Sequence, residues 1–172
     1  MQLEVEISEL ERAYRRRYGR WLRIATAESA TGGRIADRLT DVPGASDYVA
    51  GGVVAYGNES KMSLLGVRET TLNEYGAVSA EVALEMAAGG REAMTAELGI
   101  ADTGIAGPGG GSAAKPVGLF YFGLSTAVTC NVERHVFTGD RLGNKESAVA
   151  AALILIRDRL IQFVASEEGQ DG

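Results

Sequence analysis

The sequence predicts a three-layer α/β/α sandwich around a mixed, mostly parallel central sheet. Three observations carry this. Short runs of β-branched and small apolar residues alternate with stretches of helical period. Two strand-like runs, 117–126 and 128–138, adjoin closely enough to form a hairpin, which makes the sheet mixed. The chain has 172 residues, 45% apolar and 23% charged. At about 150 residues per domain that is one domain, 1–172, with enough chain to bury its own core.

The elements follow in order. Leu3, Ile7, Leu10, Tyr14, Tyr18 and Trp21 recur at steps of three and four, so 2–19 reads as a helix with one apolar stripe. Its glutamates come early and its arginines late, as the helix dipole favours. The run RRRYGRW is a solvated basic face with its aromatics turned inward, or a patch for nucleic acid. Residues 21–27 form a strand and 31–41 a helix, and 48–56 form a second strand. Helical segments at 59–65 and 69–75 stop at Gly66 and Gly76. Ser79 caps a helix over 80–98. A strand at 100–106 precedes the hairpin, and a last helix runs over 142–165. The polar tail, 167–172, is expected to fray.

Composition excludes several classes. A single cysteine, Cys130, rules out a disulfide scaffold, and with the single His135 it leaves no zinc-type metal site and no expected cofactor. Cys130 is expected to be a small buried apolar residue, and His135 to be exposed on a strand. The longest apolar run, Ala148 to Ile156, is nine residues, whereas a membrane span needs about twenty. The start, MQLEVEISELE, is acidic where a signal peptide is basic, so a cytoplasmic protein without membrane association is expected. Net charge is −6, which argues against nucleic acid held by bulk electrostatics.

Three segments could carry chemistry. In Ala27-Glu28-Ser29-Ala30-Thr31-Gly32-Gly33 a strand passes into a helix. Ser29 there is either a nucleophile, with amides of Thr31, Gly32 and Gly33 as an oxyanion hole, or Ser29 or Thr31 is a plain N-cap. In Tyr56-Gly57-Asn58-Glu59-Ser60-Lys61, Asn58 is a good N-cap, which puts Lys61 in a first helical turn. The dipole and any burial there push a lysine towards its neutral amine. With so little histidine, Lys61 is the available base for a serine, with Tyr56 to relay or orient the proton. The alternative is an exposed lysine and a strand-end tyrosine. The third segment is the glycine-rich loop of Thr103, Gly104, Ala106, Gly107, Gly109 and Gly110. It can offer several amides to one anion, or be a flexible connection. It lacks the Lys-Ser/Thr of a P-loop. Arg141, before the last helix, can clamp a phosphate or carboxylate, and the turn Pro43-Gly44-Ala45-Ser46 is a turn first and a site second.

The motifs AESATGG, PGAS, GGVVAYGNESK, LLGV, YGAVSAEVA, TGIAGPGGG, KPVG and FTGDR run in order from about residue 6 to 165. In this the chain resembles the C-terminal domain family of the competence/damage-inducible protein CinA, whose stand-alone members are nicotinamide-nucleotide amidases. Larger family members carry a further N-terminal domain, for which this length leaves no room. The resemblance implies a metal-free hydrolase that converts nicotinamide mononucleotide to nicotinate mononucleotide and ammonia. It puts the nucleophile on Ser29, the base on Lys61 and the family tyrosine on Tyr56. Thr31, Gly32, Gly33, Ser46, the glycine loop with Thr103, and Arg141 would hold a pyridine mononucleotide. It also implies a homo-oligomer, a dimer or higher. Two positions depart from the family pattern: Ala30, where many members have cysteine, and Lys145, where many have arginine. The second bears on phosphate contact. The alternative function is a non-catalytic nucleotide-binding or protein-interaction domain linked to competence or DNA damage.

Overall fold

The computed structural model describes residues 2–165. A five-stranded sheet forms its middle, in the order β2-β1-β3-β4-β5. The strands are β1 (Ile24–Glu28), β2 (Val49–Val54), β3 (Leu98–Gly104), β4 (Leu119–Ser125) and β5 (Cys130–Val136). β1 pairs in parallel with both β2 and β3, and the β3–β4 and β4–β5 pairs are antiparallel. The hairpin is therefore present and the sheet is mixed.

Helices cover both faces. On one lie α1 (Leu3–Tyr18), α2 (Arg34–Thr40) and α6 (Arg141–Ala165), packed over Ile24, Ile100, Phe120 and Phe122. On the other lie α3 (Asn58–Leu65), α4 (Glu69–Tyr75) and α5 (Ala80–Ala93), packed over Ala27 and Ala101. The stripe of α1 meets α6: Ile7 and Tyr14 are buried, and the Tyr18 hydroxyl donates to the Phe163 carbonyl at 3.1 Å. RRRYGRW is thus a basic face over inward-turned aromatics.

Helix α5 stops earlier than its pattern suggests. Apolar residues at helical spacing continue to Leu98, but Thr95 takes φ 49° and the chain turns there into β3. That turn lets Leu98 pair with Ile24. Close packing of α5 on the sheet depends on missing side chains: a Cβ on Gly99 would lie 2.2 Å from the Ala87 carbonyl oxygen, and one on Gly123 would lie 2.1 Å from that of Ala83.

Two side-chain expectations are corrected. Cys130 is exposed, because it opens the edge strand β5, which no further strand among the described residues covers. His135 is half-buried rather than exposed. It lies 5.7 Å from Phe137, ring to ring, and 2.9 Å from a Glu133 carboxylate oxygen. The tail 167–172 lies outside the described residues. Among the described residues no helix is long and apolar enough to cross a membrane.

The connection from β1 through α2 to β2 runs on one face, and the return through α3–α5 to β3 runs on the other. The chain therefore switches direction between β1 and β3. In open α/β sheets the carboxyl ends of strands at such a switch form the usual binding crevice.

Candidate active site

Ser29 follows the last residue of β1, at that crevice. Its Oγ lies 3.1 Å from Lys61 Nζ. Lys61 is 1% exposed and reaches the crevice from α3. Its Nζ also donates to the carbonyl of Ala55 at 2.9 Å and to that of Tyr56 at 3.2 Å. The neighbourhood thus offers two carbonyl acceptors and one hydroxyl. As an ammonium, Lys61 donates to all three; as a neutral amine its two N–H groups satisfy the carbonyls and its lone pair accepts the Ser29 hydroxyl proton. Burial pushes the Lys61 amine below its ordinary range, opposed in part by the charge of Asp102. Asn58 is not the cap of α3. Gly57 precedes the helix, Asn58 is its first residue, and no side chain caps it.

Neither Ser29 nor Thr31 caps α2. Gly33 sits at the cap position with φ 94°, and the capping group is the buried carboxylate of Glu28. It accepts from the amides of Gly33, Ile35 and Ala36 at 2.9–3.0 Å, as a negative charge at a helix start should. Asp102 of β3, also fully buried, accepts the amides of Ser29 and Thr31, each at 3.1 Å. The Thr31 and Gly33 amides are therefore already engaged and cannot serve as oxyanion donors. Among the described residues the amides of Ala30 and Gly32 donate to no protein acceptor.

A cavity of about 280 Å³ opens beside the pair. Ser29, Ala30, Tyr56, Lys61, Ala77 and Val78 line it, with Thr103, Gly104, Ile105, Ala106, Gly107, Gly109, Gly110 and Arg141. The glycine loop is therefore at the site. Among the described residues the amides of Ala106, Gly107, Gly109 and Gly110 donate to no protein group. The Thr103 hydroxyl donates to the Ala77 carbonyl at 2.7 Å and ties the strand end to the segment before α5.

Arg141 spans the cavity mouth. It donates to the Gly107 carbonyl at 2.7 Å and to the Tyr56 hydroxyl at 3.3 Å. The phenol of Tyr56 thus faces Arg141, and what reaches Lys61 is the Tyr56 carbonyl. Asn144 is buried one turn into α6, where it donates to the Ala106 carbonyl and accepts the Gly139 amide. Asp140 caps the same helix by accepting the Gly143 amide at 2.8 Å.

Four expected binding residues do not line this cavity. Thr31, Gly32 and Gly33 lie behind Ser29, where they are taken up with Glu28 and Asp102 or lie beneath Lys145. Ser46 lies in a 3-10 turn, Ala45–Asp47, that leads into β2. β2 runs parallel to β1, so Ser46 stands at the opposite end of the sheet from Ser29. A larger cavity, about 510 Å³, is also at that far end, lined by Tyr14, Leu22, Arg91 and Val128 among others. Among the described residues it holds no nucleophile paired with a base, so chemistry rather than size selects the site. Among the described residues no three of His, Cys, Asp or Glu group as metal ligands would.

Sequence reasoning passed over Glu28, Asp102 and Asn144. The signal was there for two of them: a carboxylate inside an otherwise apolar strand, as in Ile24–Glu28 and Leu98–Gly104, needs a partner when buried.

The profile of the CinA C-terminal domain family matches residues 8–160. The chain belongs to that family. It is 49% identical over 164 residues to a CinA-like protein of Chloroherpeton thalassium, covering 93% of this chain and 38% of that one. To a putative competence-damage inducible protein of Moorella thermoacetica it is 50% identical, covering 80% and 33%. The chain thus spans about a third of the length of these curated relatives. Among solved structures, the competence damage-inducible protein A of Klebsiella pneumoniae superposes with a TM-score of 0.85 at 31% identity, covering 95% of this chain and 99% of that one. The competence/damage inducible protein of Agrobacterium tumefaciens gives 0.79 at 40% identity, with 91% and 96% covered. The α/β sandwich is therefore that of the CinA fold.

Proposed function

We propose that this CinA-family domain is a serine amidohydrolase that acts on nicotinamide mononucleotide. The observation that carries the reading is the buried Lys61 amine 3.1 Å from Ser29 Oγ, with its two N–H groups held by backbone carbonyls. Ser29 Oγ attacks the carboxamide carbon while its proton passes to Lys61. The tetrahedral oxyanion is met by the Ala30 amide, which follows the nucleophile and lines the cavity. The C–N bond breaks, Lys61 returns the proton to the leaving nitrogen, and ammonia departs. Water then attacks the Ser29 ester and gives its proton to Lys61. The acid is released as the Ser29 hydroxyl re-forms.

The pyridinium charge activates the amide, so a two-residue set suffices. The free amides of the glycine loop and the Arg141 guanidinium suit the phosphate end. A cavity of about 280 Å³ is at the small end for ligand sites, which favours a mononucleotide over a dinucleotide.

The relatives are named for competence and damage induction, and that favours a second reading, a domain that binds a nucleotide or protein without catalysis. Incubation with a panel of pyridine nucleotides, with ammonia measured alongside calorimetric binding, separates the two. Ammonia released from the mononucleotide supports the amidase, and binding without ammonia supports the alternative.

A further inference from the structure

The side-chain oxygens that line the cavity are those of Ser29, Tyr56 and Thr103. Ser29 Oγ is the attacking atom. The Tyr56 hydroxyl stands at the mouth, on a residue 62% exposed, and accepts from Arg141 at 3.3 Å. Thr103 is 1% exposed, and its Oγ1 lies 2.7 Å from the Ala77 carbonyl oxygen. A carbonyl only accepts, so the single proton of the Thr103 hydroxyl is committed to Ala77. Towards anything else Thr103 presents lone pairs, and among the described residues no protein group donates to them. Backbone carbonyls around the cavity are already in use. Lys61 takes those of Ala55 and Tyr56, Arg141 that of Gly107, Asn144 that of Ala106, and the Gly118 amide that of Ile105.

Thr103 also stands on the side of the sheet where the scissile group goes. Ala27 of β1 lies beside Ala101 of β3 in the parallel ladder. Side chains alternate along a strand, so two residues further on Ser29 and Thr103 leave on the same side. Both line the cavity, and Lys61 arrives there from α3.

We propose that Thr103 selects a carboxamide over a carboxylate: its hydroxyl, fixed as an acceptor, takes an N–H of the substrate's amide nitrogen and turns away the acid product. This rests on reading the site as an amidase.

Amide and carboxylate have nearly the same shape, so an apolar wall does not tell them apart, whereas a hydrogen-bonding group does. With the amide oxygen on the Ala30 amide, the NH2 group needs an acceptor, and Thr103 supplies it. The nitrogen keeps N–H groups as it leaves as ammonia, so the contact lasts through C–N cleavage. The product carboxylate has none. An oxygen in that place meets the Thr103 lone pairs in a buried position, which favours release of the acid.

The test is calorimetric binding of nicotinamide mononucleotide and of nicotinate mononucleotide to the full chain carrying Ser29→Ala, so that the amide is not consumed. With Thr103 in place the amide is expected to bind at least about tenfold tighter than the acid. Adding Thr103→Val, which keeps the shape and removes the acceptor, should weaken the amide about tenfold and leave the acid unchanged or tighter. Adding Thr103→Ser should keep the preference. Loss of the Ala77 contact alone is a structural effect and weakens both nucleotides alike. The first comparison needs no change at Thr103, so it stands even if the valine variant does not fold. Equal affinities with Thr103 present, an equal loss for both nucleotides, or a preference that survives Thr103→Val overturns the proposal. Ammonia release by the wild type is read separately. Its absence removes the amidase reading and this proposal with it, whereas ammonia together with an unchanged preference in Thr103→Val removes this proposal alone.

Discussion

Glu28 Oε1 accepts the Ala36 amide at 2.9 Å, although the two residues stand eight apart. The last residue of β1 thereby caps the helix that follows it, and the chain between them is drawn into a tight bend with Ser29 at its crest. A nucleophile needs such an anchor, because its hydroxyl must keep one position while bonds change around it.

Glu28 is therefore predicted to be structural. In Glu28→Ala, three amides and the Thr31 hydroxyl lose their acceptor in a buried place, at about 1–3 kcal/mol for each group that finds no substitute. Denaturant unfolding should show a large fall in midpoint. A variant as stable as the parent contradicts the capping role.

Arg141 is predicted to act on binding. Arg141→Ala should raise KM for the mononucleotide about ten- to a hundredfold, the worth of a charge-assisted hydrogen bond or two, with kcat little changed. The corresponding nucleoside, which lacks the phosphate, should lose nothing. Equal losses for both compounds count against phosphate contact.

Lys61 ties function to stability. Its amine is held below the ordinary value of 10.5 by burial, so the folded chain binds that proton less tightly than the unfolded chain. The resulting destabilisation is present in full below the folded titration point and fades as pH rises towards 10.5. Wild type should thus gain stability relative to Lys61→Met as pH rises, read as the difference in melting temperature. A difference that is flat with pH argues against a depressed amine.

Glu11 makes the opposite prediction far from the site. It is fully buried in α1; one carboxylate oxygen accepts the Leu22 amide at 3.2 Å and the other has no partner among the described residues. Burial raises it from 4.5 to about 8, with Glu97 adding and the Leu22 amide opposing. The folded chain holds this proton more tightly, so its stabilising effect is complete below pH 4.5 and is lost as pH rises to about 8. Glu11→Gln should gain on wild type across that window and level off above it, by thermal melts at several pH values. A constant gap contradicts the raised carboxyl.

Much of this was legible in the sequence. The alternation of strands and helices showed the sandwich, and the hairpin showed that the sheet is mixed. Ser29 and Lys61 stood out because a chain with one histidine offers few bases for a serine. What a linear pattern does not encode is which end of the sheet a turn occupies. Ser46 sits in a turn with a glycine of its own, Gly44, yet it leads into a strand where Ser29 ends one. Nor does it encode the capping of backbone amides by distant carboxylates, so Glu28 and Asp102 passed unnoticed while Thr31 and Gly33 were credited with free N–H groups. The overrun of α5 has the same origin: helical spacing persists to Leu98, and only the sheet requires the turn at Thr95.

The most direct measurement is ammonia release from nicotinamide mononucleotide by wild type, Ser29→Ala and Lys61→Ala, each shown to be folded. The account predicts turnover by wild type and a loss on the order of 10⁴ or more in both variants. Turnover near the wild-type rate in either folded variant contradicts it.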